Sequence, residues 1–237
     1  MKNSIALFIE LRARLIKTLI AWGMVAAIFT YFANTIYEGF ALPILRQLTP
    51  HEHLIAIAVT SPFFVPLESA IVASIYVCVP IVLYQLWQFI LPALYQKEKR
   101  FIFSLMIAGT LLFYIGTLFS YFVVLPMMFK FLSGFSPKHV SFMPDMSAYF
   151  DFVTRMLLAF GLAFELPIVI VVLIWLNVLS QEQCKKMRPY VIVGCFILGM
   201  LLTPPDVLSQ TLLALPLWGL FELGVWVATK ISRNKKL

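Results

Sequence analysis

What this chain has least of is charge. Only 12% of its residues are Asp, Glu, Lys or Arg, against roughly a quarter in an ordinary soluble domain. Hydrophobic residues make up 62%, and mean hydropathy is +0.94. That shortage excludes a water-soluble globular domain and makes the chain an integral membrane protein. Cysteine is scarce too. Cys78, Cys184 and Cys195 show no Cys-x-x-Cys spacing, so neither a disulfide framework nor a metal knuckle is indicated. They read as small buried hydrophobes, with Cys184 a reduced loop thiol. Histidine is missing from every apolar run: His51, His53 and His139 fall between runs. There is no His-Glu-x-x-His, no nucleophile-elbow serine and no Gly-x-x-x-x-Gly-Lys loop. No enzyme site assembles, and no metal or cofactor is called for. Nor is any internal repeat evident, which weighs against an inverted-repeat transporter.

What is there is six apolar runs, at about 18–37, 69–92, 101–125, 149–176, 189–203 and 208–229. Lysine and arginine crowd into alternate gaps. Lys2, Arg12, Arg14 and Lys17 precede the first run, and Lys97, Lys99 and Arg100 follow the second. Lys185, Lys186 and Arg188 follow the fourth, and Lys230, Arg233, Lys235 and Lys236 follow the sixth. The other side receives only Arg46, Lys130, Lys138 and Arg155. The positive-inside bias then predicts an all-α membrane protein of six transmembrane helices with both termini cytoplasmic. The whole of 1–237 reads as one polytopic membrane domain. Its net charge of +7 reads as membrane anchoring, with lipid head groups or a docked peptide as secondary uses, and not as a nucleic-acid signal. No cleavage site stands out after the first run, so it reads as a retained span.

Residues 1–17 form an amphipathic cytoplasmic helix, with Ile5, Leu7, Phe8, Leu11 and Leu15 on one face. It is expected to lie along the inner surface before the first span turns in. The outer loop 38–68 is itself apolar, so its segments 40–48 and 60–64 are expected to be short interfacial helices of a cap. A second outer loop runs from about Pro126 to Ser147, where Asp145 can cap the fourth span. Prolines 80, 92, 126, 167 and 216 stand in or beside spans, and bent helices around a concave face are the expected result. From Tyr190 to Thr203 the fifth span offers about 21 Å of helix against a hydrocarbon core of roughly 30 Å. Either the bilayer thins beside it, or the boundary is too tight and Met187 and Pro189 extend it.

Few polar groups enter the runs. Glu165 falls near the middle of the fourth, within Phe164-Glu165-Leu166-Pro167. A carboxylate there must face protein or water, as a satisfied interhelical bond or as a polar point in a groove. Glu222 lies low enough in the sixth span to snorkel or pair locally. Asp206 and Gln210 sit at the outer end of the last hairpin, where Asp206 can also act as a plain helix cap. On the inner side, Glu10 and Glu98 are isolated acids in basic stretches. Each suits a guanidinium ligand, although Glu98 could equally pair with Lys99 or Arg100.

In order along the chain stand Glu10-Leu11-Arg12-x-Arg14-Leu15, Thr60-Ser61-Pro62-Phe63-Phe64, and Tyr84-Gln85-x-Trp87-x-Phe89-Ile90-x-Pro92-Ala93-Leu94-Tyr95. Phe113-Tyr114-Ile115-Gly116, Ala159-Phe160-Gly161-x-x-Phe164-Glu165-x-Pro167, Arg188-Pro189-Tyr190 and Leu202-Thr203-Pro204-Pro205-Asp206-x-x-Ser209-Gln210 follow. Together they closely resemble the TatC family, the multispanning receptor subunit of the twin-arginine protein translocase. The resemblance covers about 5–229. One departure is visible, since a histidine common before the leucine-x-glutamate is replaced by Leu7 and Phe8.

The resemblance implies a bacterial inner-membrane receptor for folded precursors whose signal peptides carry consecutive arginines. The signal-binding residues carried over are Glu10, Arg12, Phe89, Glu98 and Arg100, with the two acids pairing to the guanidinium groups. Glu165, Gln210 and Glu222 become intramembrane polar or partner positions, and Pro43 and Asp206 positions of the outer cap and hairpin. The implied partners are TatA-like and TatB-like single-span subunits, further copies of the chain, and membrane lipids. Transport is driven by the proton motive force. The rival reading is an ion-coupled secondary transporter of a small solute using Glu165.

Overall fold

The computed structural model describes residues 2–48, 52–90, 99–134, 143–176, 178–202 and 207–234. Side chains at 2–11, 86–90, 99–102, 181, 208–209 and 231–234 lie outside that description. Helices dominate: α1 Lys2–Tyr31, α2 Ala33–Leu45, α3 Ser61–Ile90, α4 Lys99–Phe119, α5 Leu125–Gly134, α6 Met146–Ala163, α7 Leu166–Trp175, α8 Gln181–Leu202 and α9 Val207–Asn234. A π-helical turn, Ser120–Val124, joins α4 to α5. Among the described residues, five helical stretches are long and apolar enough to cross a membrane. They leave large apolar side chains in the open, such as Met24 and Ile28 at 61% exposure each. Such a surface is at home in lipid, where a helix satisfies its own backbone groups.

Several boundaries differ from the sequence expectation, each for a local reason. The surface helix and first span are one uninterrupted helix, with no turn between them; no Pro or Gly stands between residue 2 and Gly23 to break it. That helix stops at Tyr31, short of the expected 37, and α2 takes over from Ala33 as a single cap helix. The 60–64 motif forms no separate helix but starts α3: the N–H groups of Phe63 and Phe64 donate to the Thr60 carbonyl. Pro62 is tolerated there because the first turn needs no intrahelical donor.

The loop expected from Pro126 begins later, because the helix continues to Gly134. Just before the proline the chain widens into the π-turn, in which the Leu125 N–H reaches the Ser120 carbonyl. The wider turn makes room for a ring that would otherwise strike the carbonyl four residues back. Pro80, Pro189 and Pro216 all sit inside continuous helices, whereas Pro167 accompanies a break between α6 and α7. Pro92 lies outside the described residues. The apolar run expected as the fifth span is the later part of α8, a 22-residue helix with a polar start. By length and composition it is not among the five membrane-length stretches. Cys184 is buried in α8 and is not a loop thiol.

Contacts divide the chain into two compact units, 1–110 with 142–151, and 111–141 with 152–237. In the first, α1 and α2 both pack on α3. Its core joins Val65, Met146 and Phe150 to Tyr37, Phe40 and Val72, and Tyr149 donates its hydroxyl to the Phe40 carbonyl at 2.7 Å. Asp145 caps α6 by accepting the Ala148 N–H at 3.1 Å, and its other oxygen accepts the Ile57 N–H, also at 3.1 Å. These N–H groups, Ile57 first, hold its carboxyl below the usual range. In the second unit α9 packs against both α7 and α8. There α4 comes so close to α6 that a Cβ on Gly116 would lie 2.6 Å from the Phe160 carbonyl oxygen. Only glycine fits such an approach.

Candidate functional site

Three of the five expected arginine-reading residues stand on two helices, Glu10 and Arg12 on α1 and Phe89 on α3. Arg14 on α1 donates through Nη1 to Oε1 of Gln85 on α3 at 3.1 Å. That bond joins the early part of α1 to the late part of α3. Glu10 lies one turn before Arg14, and Phe89 one turn after Gln85. The fold therefore brings Glu10, Arg12 and Phe89 to the same end of the α1/α3 pair. Arg12 is exposed there; the side chains of Glu10 and Phe89 are outside the described part. Arg100 stands in the first turn of α4, its side chain likewise outside, and Glu98 lies outside the described residues altogether. Sequence reasoning missed the pin itself. Its signal was Gln85, an amide deep in an apolar run, which needs an internal partner.

Glu165 occupies the two-residue break between α6 and α7. The break is where Pro167 opens the helix, at the start of α7. Glu165 stands at the N-cap position of α7, yet its side chain makes no capping bond. Its Oε1 is buried with no hydrogen-bond partner among the described residues. Beside it Phe164 packs on Phe119, with ring centroids 5.7 Å apart. A buried acceptor left unpaired costs about 1–3 kcal/mol, and more when charged. Among the described residues nothing relieves that cost.

Of the remaining polar positions, Glu222 has its partner inside the second unit. Glu222 on α9 accepts a hydrogen bond from Nη2 of Arg188 on α8 at 2.6 Å. Higher up, a Cβ on Gly199 would meet the Gln210 backbone at 3.3 Å. As α8 runs from 188 to 199, its neighbour on α9 steps back from 222 to 210, so the two helices are antiparallel. Gln210 therefore sits at the close end of that pair, half-buried. The connecting residues 203–206, and Asp206 with them, lie outside the described residues. Pro43 is buried within α2, between Ala41 and Ile44, which are buried too. Among the described residues no three His, Cys, Asp or Glu come together as a metal site.

A family profile described as "Sec-independent protein translocase protein (TatC)" matches residues 6–216. The TatC protein of Escherichia coli (strain K12) is 47% identical over 92% of this chain and 84% of its own length. That of Aquifex aeolicus (strain VF5) is 39% identical over 96% of this chain and 95% of its own. A crystal structure described as the twin arginine translocase receptor TatC superposes with a TM-score of 0.84 at 38% identity, covering 95% of this chain and 99% of that one. The helical order, the membrane-length apolar stretches and these likenesses agree: the chain belongs to the TatC family of non-enzymatic protein-translocase components.

Proposed function

We propose that the chain is the receptor of a twin-arginine translocase, binding the signal peptides of folded precursors at the α1/α3 end. The observation that carries this reading is the Arg14–Gln85 pin, which sets Glu10, Arg12 and Phe89 at one end of two packed helices. There Glu10 and Glu98 receive the two guanidinium groups as forked, charge-assisted bonds. Arg12 and Arg100 orient the acids, since like charge repels the ligand, and Phe89 contacts the peptide near the interface. The apolar part of the signal extends along the spans, and Glu165 meets that peptide or a partner helix. TatA-like and TatB-like single-span subunits and further copies of the chain complete the machine, which works in the bacterial inner membrane on the proton motive force. In this reading both termini are cytoplasmic, and the later part of α8 is the fifth of six crossings.

Crosslinking from position 98 to a signal peptide tests the receptor. A crosslink lost when the arginine pair becomes two lysines supports readout; an identical crosslink sinks it. The short apolar part of α8, 190–202, supports a second element, bilayer thinning beside α8 and α9 that lowers the barrier for recruited subunits. Adding four leucines to that stretch should impair export while sparing signal binding, and unchanged export would end that element. The solute-transporter alternative loses its ground because the family is one of protein translocases.

A further inference from the structure

Between α8 and α9 runs a cavity of about 220 Å³, walled by Ile192, Cys195, Phe196, Ala214, Leu215 and Trp218. Every lining side chain is apolar. On α8 these residues stand four, seven and eight places after Arg188, and on α9 four, seven and eight places before Glu222. Those steps keep to one stripe of each helix. The groove therefore leads down to the Arg188–Glu222 pair. Beyond the pair the same stripes turn cationic. Lys185 lies one turn before Arg188 and is exposed, as is its neighbour Lys186. Trp226 lies one turn after Glu222, and Lys230 holds its ammonium 3.9 Å over the Trp226 ring. Two acids share this rim: Glu222, occupied by Arg188, and the exposed Glu182. The Arg188 side chain remains 45% exposed, which leaves further N–H donors facing outward.

A wholly apolar slot has nothing to orient a polar solute. A cationic rim at its mouth asks for an anion. One molecule that joins the two is a lipid with hydrocarbon at one end and a phosphate at the other. Basic pockets between membrane helices hold such head groups, and a lysine over tryptophan belongs at head-group depth. A partner helix suits the slot less well, because its body is about 10 Å across and would bridge the groove without filling it. We propose that the α8/α9 groove binds an anionic phospholipid, with an acyl chain between Ile192 and Trp218 and the phosphate held by Lys185, Arg188 and Lys230.

The test uses the full chain purified in detergent, given phosphatidylglycerol or phosphatidylcholine with the same brominated acyl chains. Native mass spectrometry counts retained lipid, and tryptophan fluorescence reports where the bromines lie. Phosphatidylglycerol should be retained about tenfold better than phosphatidylcholine, and the surface variant Lys185→Gln/Lys230→Gln should erase that preference. Ala214→Leu, which narrows the slot while keeping the rim, should also lower retention. Trp218→Phe should remove most of the quenching seen at low lipid. Equal retention of the two lipids would overturn the proposal. So would unchanged preference in the double variant, quenching indifferent to Trp218, or a single-span helix crosslinking at Phe196 where the bromines fail to quench.

Discussion

Two carboxylates, Glu165 and Glu222, fall within membrane-length apolar stretches of the second unit, and they have been treated differently. Glu222 meets an arginine from the neighbouring helix at 2.6 Å. Glu165, set in the break between α6 and α7, keeps a buried oxygen that no described group reaches. The first is a contact between two elements of the same chain, α8 and α9. The second is a cost carried within the fold, for which the proposed reading supplies relief from the signal peptide or a partner helix. A polar residue in an apolar helix is thus informative only once its partner is known.

The largest effect should come from closing the space beside the break. Gly116→Val places side-chain atoms against the Phe160 carbonyl, a backbone group that cannot swing aside. It should cost about 3 kcal/mol or more, read as loss of monodisperse chain in detergent and a lowered thermal midpoint. Next is the orphan itself. Glu165→Leu should leave the thermal midpoint unchanged or raise it, while export of a twin-arginine reporter falls about tenfold or more; the unrelieved acceptor is gone, and so is its contact. If stability drops by several kcal/mol instead, Glu165 is satisfied inside the fold after all and the comparison fails. Smallest is the pair. Glu222→Gln should shift stability by no more than about 1 kcal/mol, because both side chains are partly exposed. A double-mutant cycle with Arg188→Gln should give a coupling in the same range. A coupling of several kcal/mol would show the pair to be the main tie between α8 and α9.

Much of the fold was legible because lipid permits few solutions. The run lengths, the alternating lysine and arginine gaps, and the cap at Asp145 could all be read from residue order. Where that reading slipped, neighbours had decided. Pro126 reads as the end of a helix, yet a π-turn absorbs it and the helix runs on to Gly134. At the candidate site the family motifs pointed to Glu10, Arg12 and Phe89. The bond that brings their segments together joins Arg14 to Gln85, 71 residues away. No local pattern announces such a pairing, because the geometry belongs to two helices at once.

By itself, the residue order determined the solvent, the helical class and the family, since hydrophobic runs and ordered motifs are properties of a single line of residues. Only the tertiary structure decided which polar groups are satisfied: Arg14 by Gln85 and Glu222 by Arg188, with Glu165 left over. Hydrogen bonds act over about 3 Å in space, and distance along the chain does not record which groups fall within that reach.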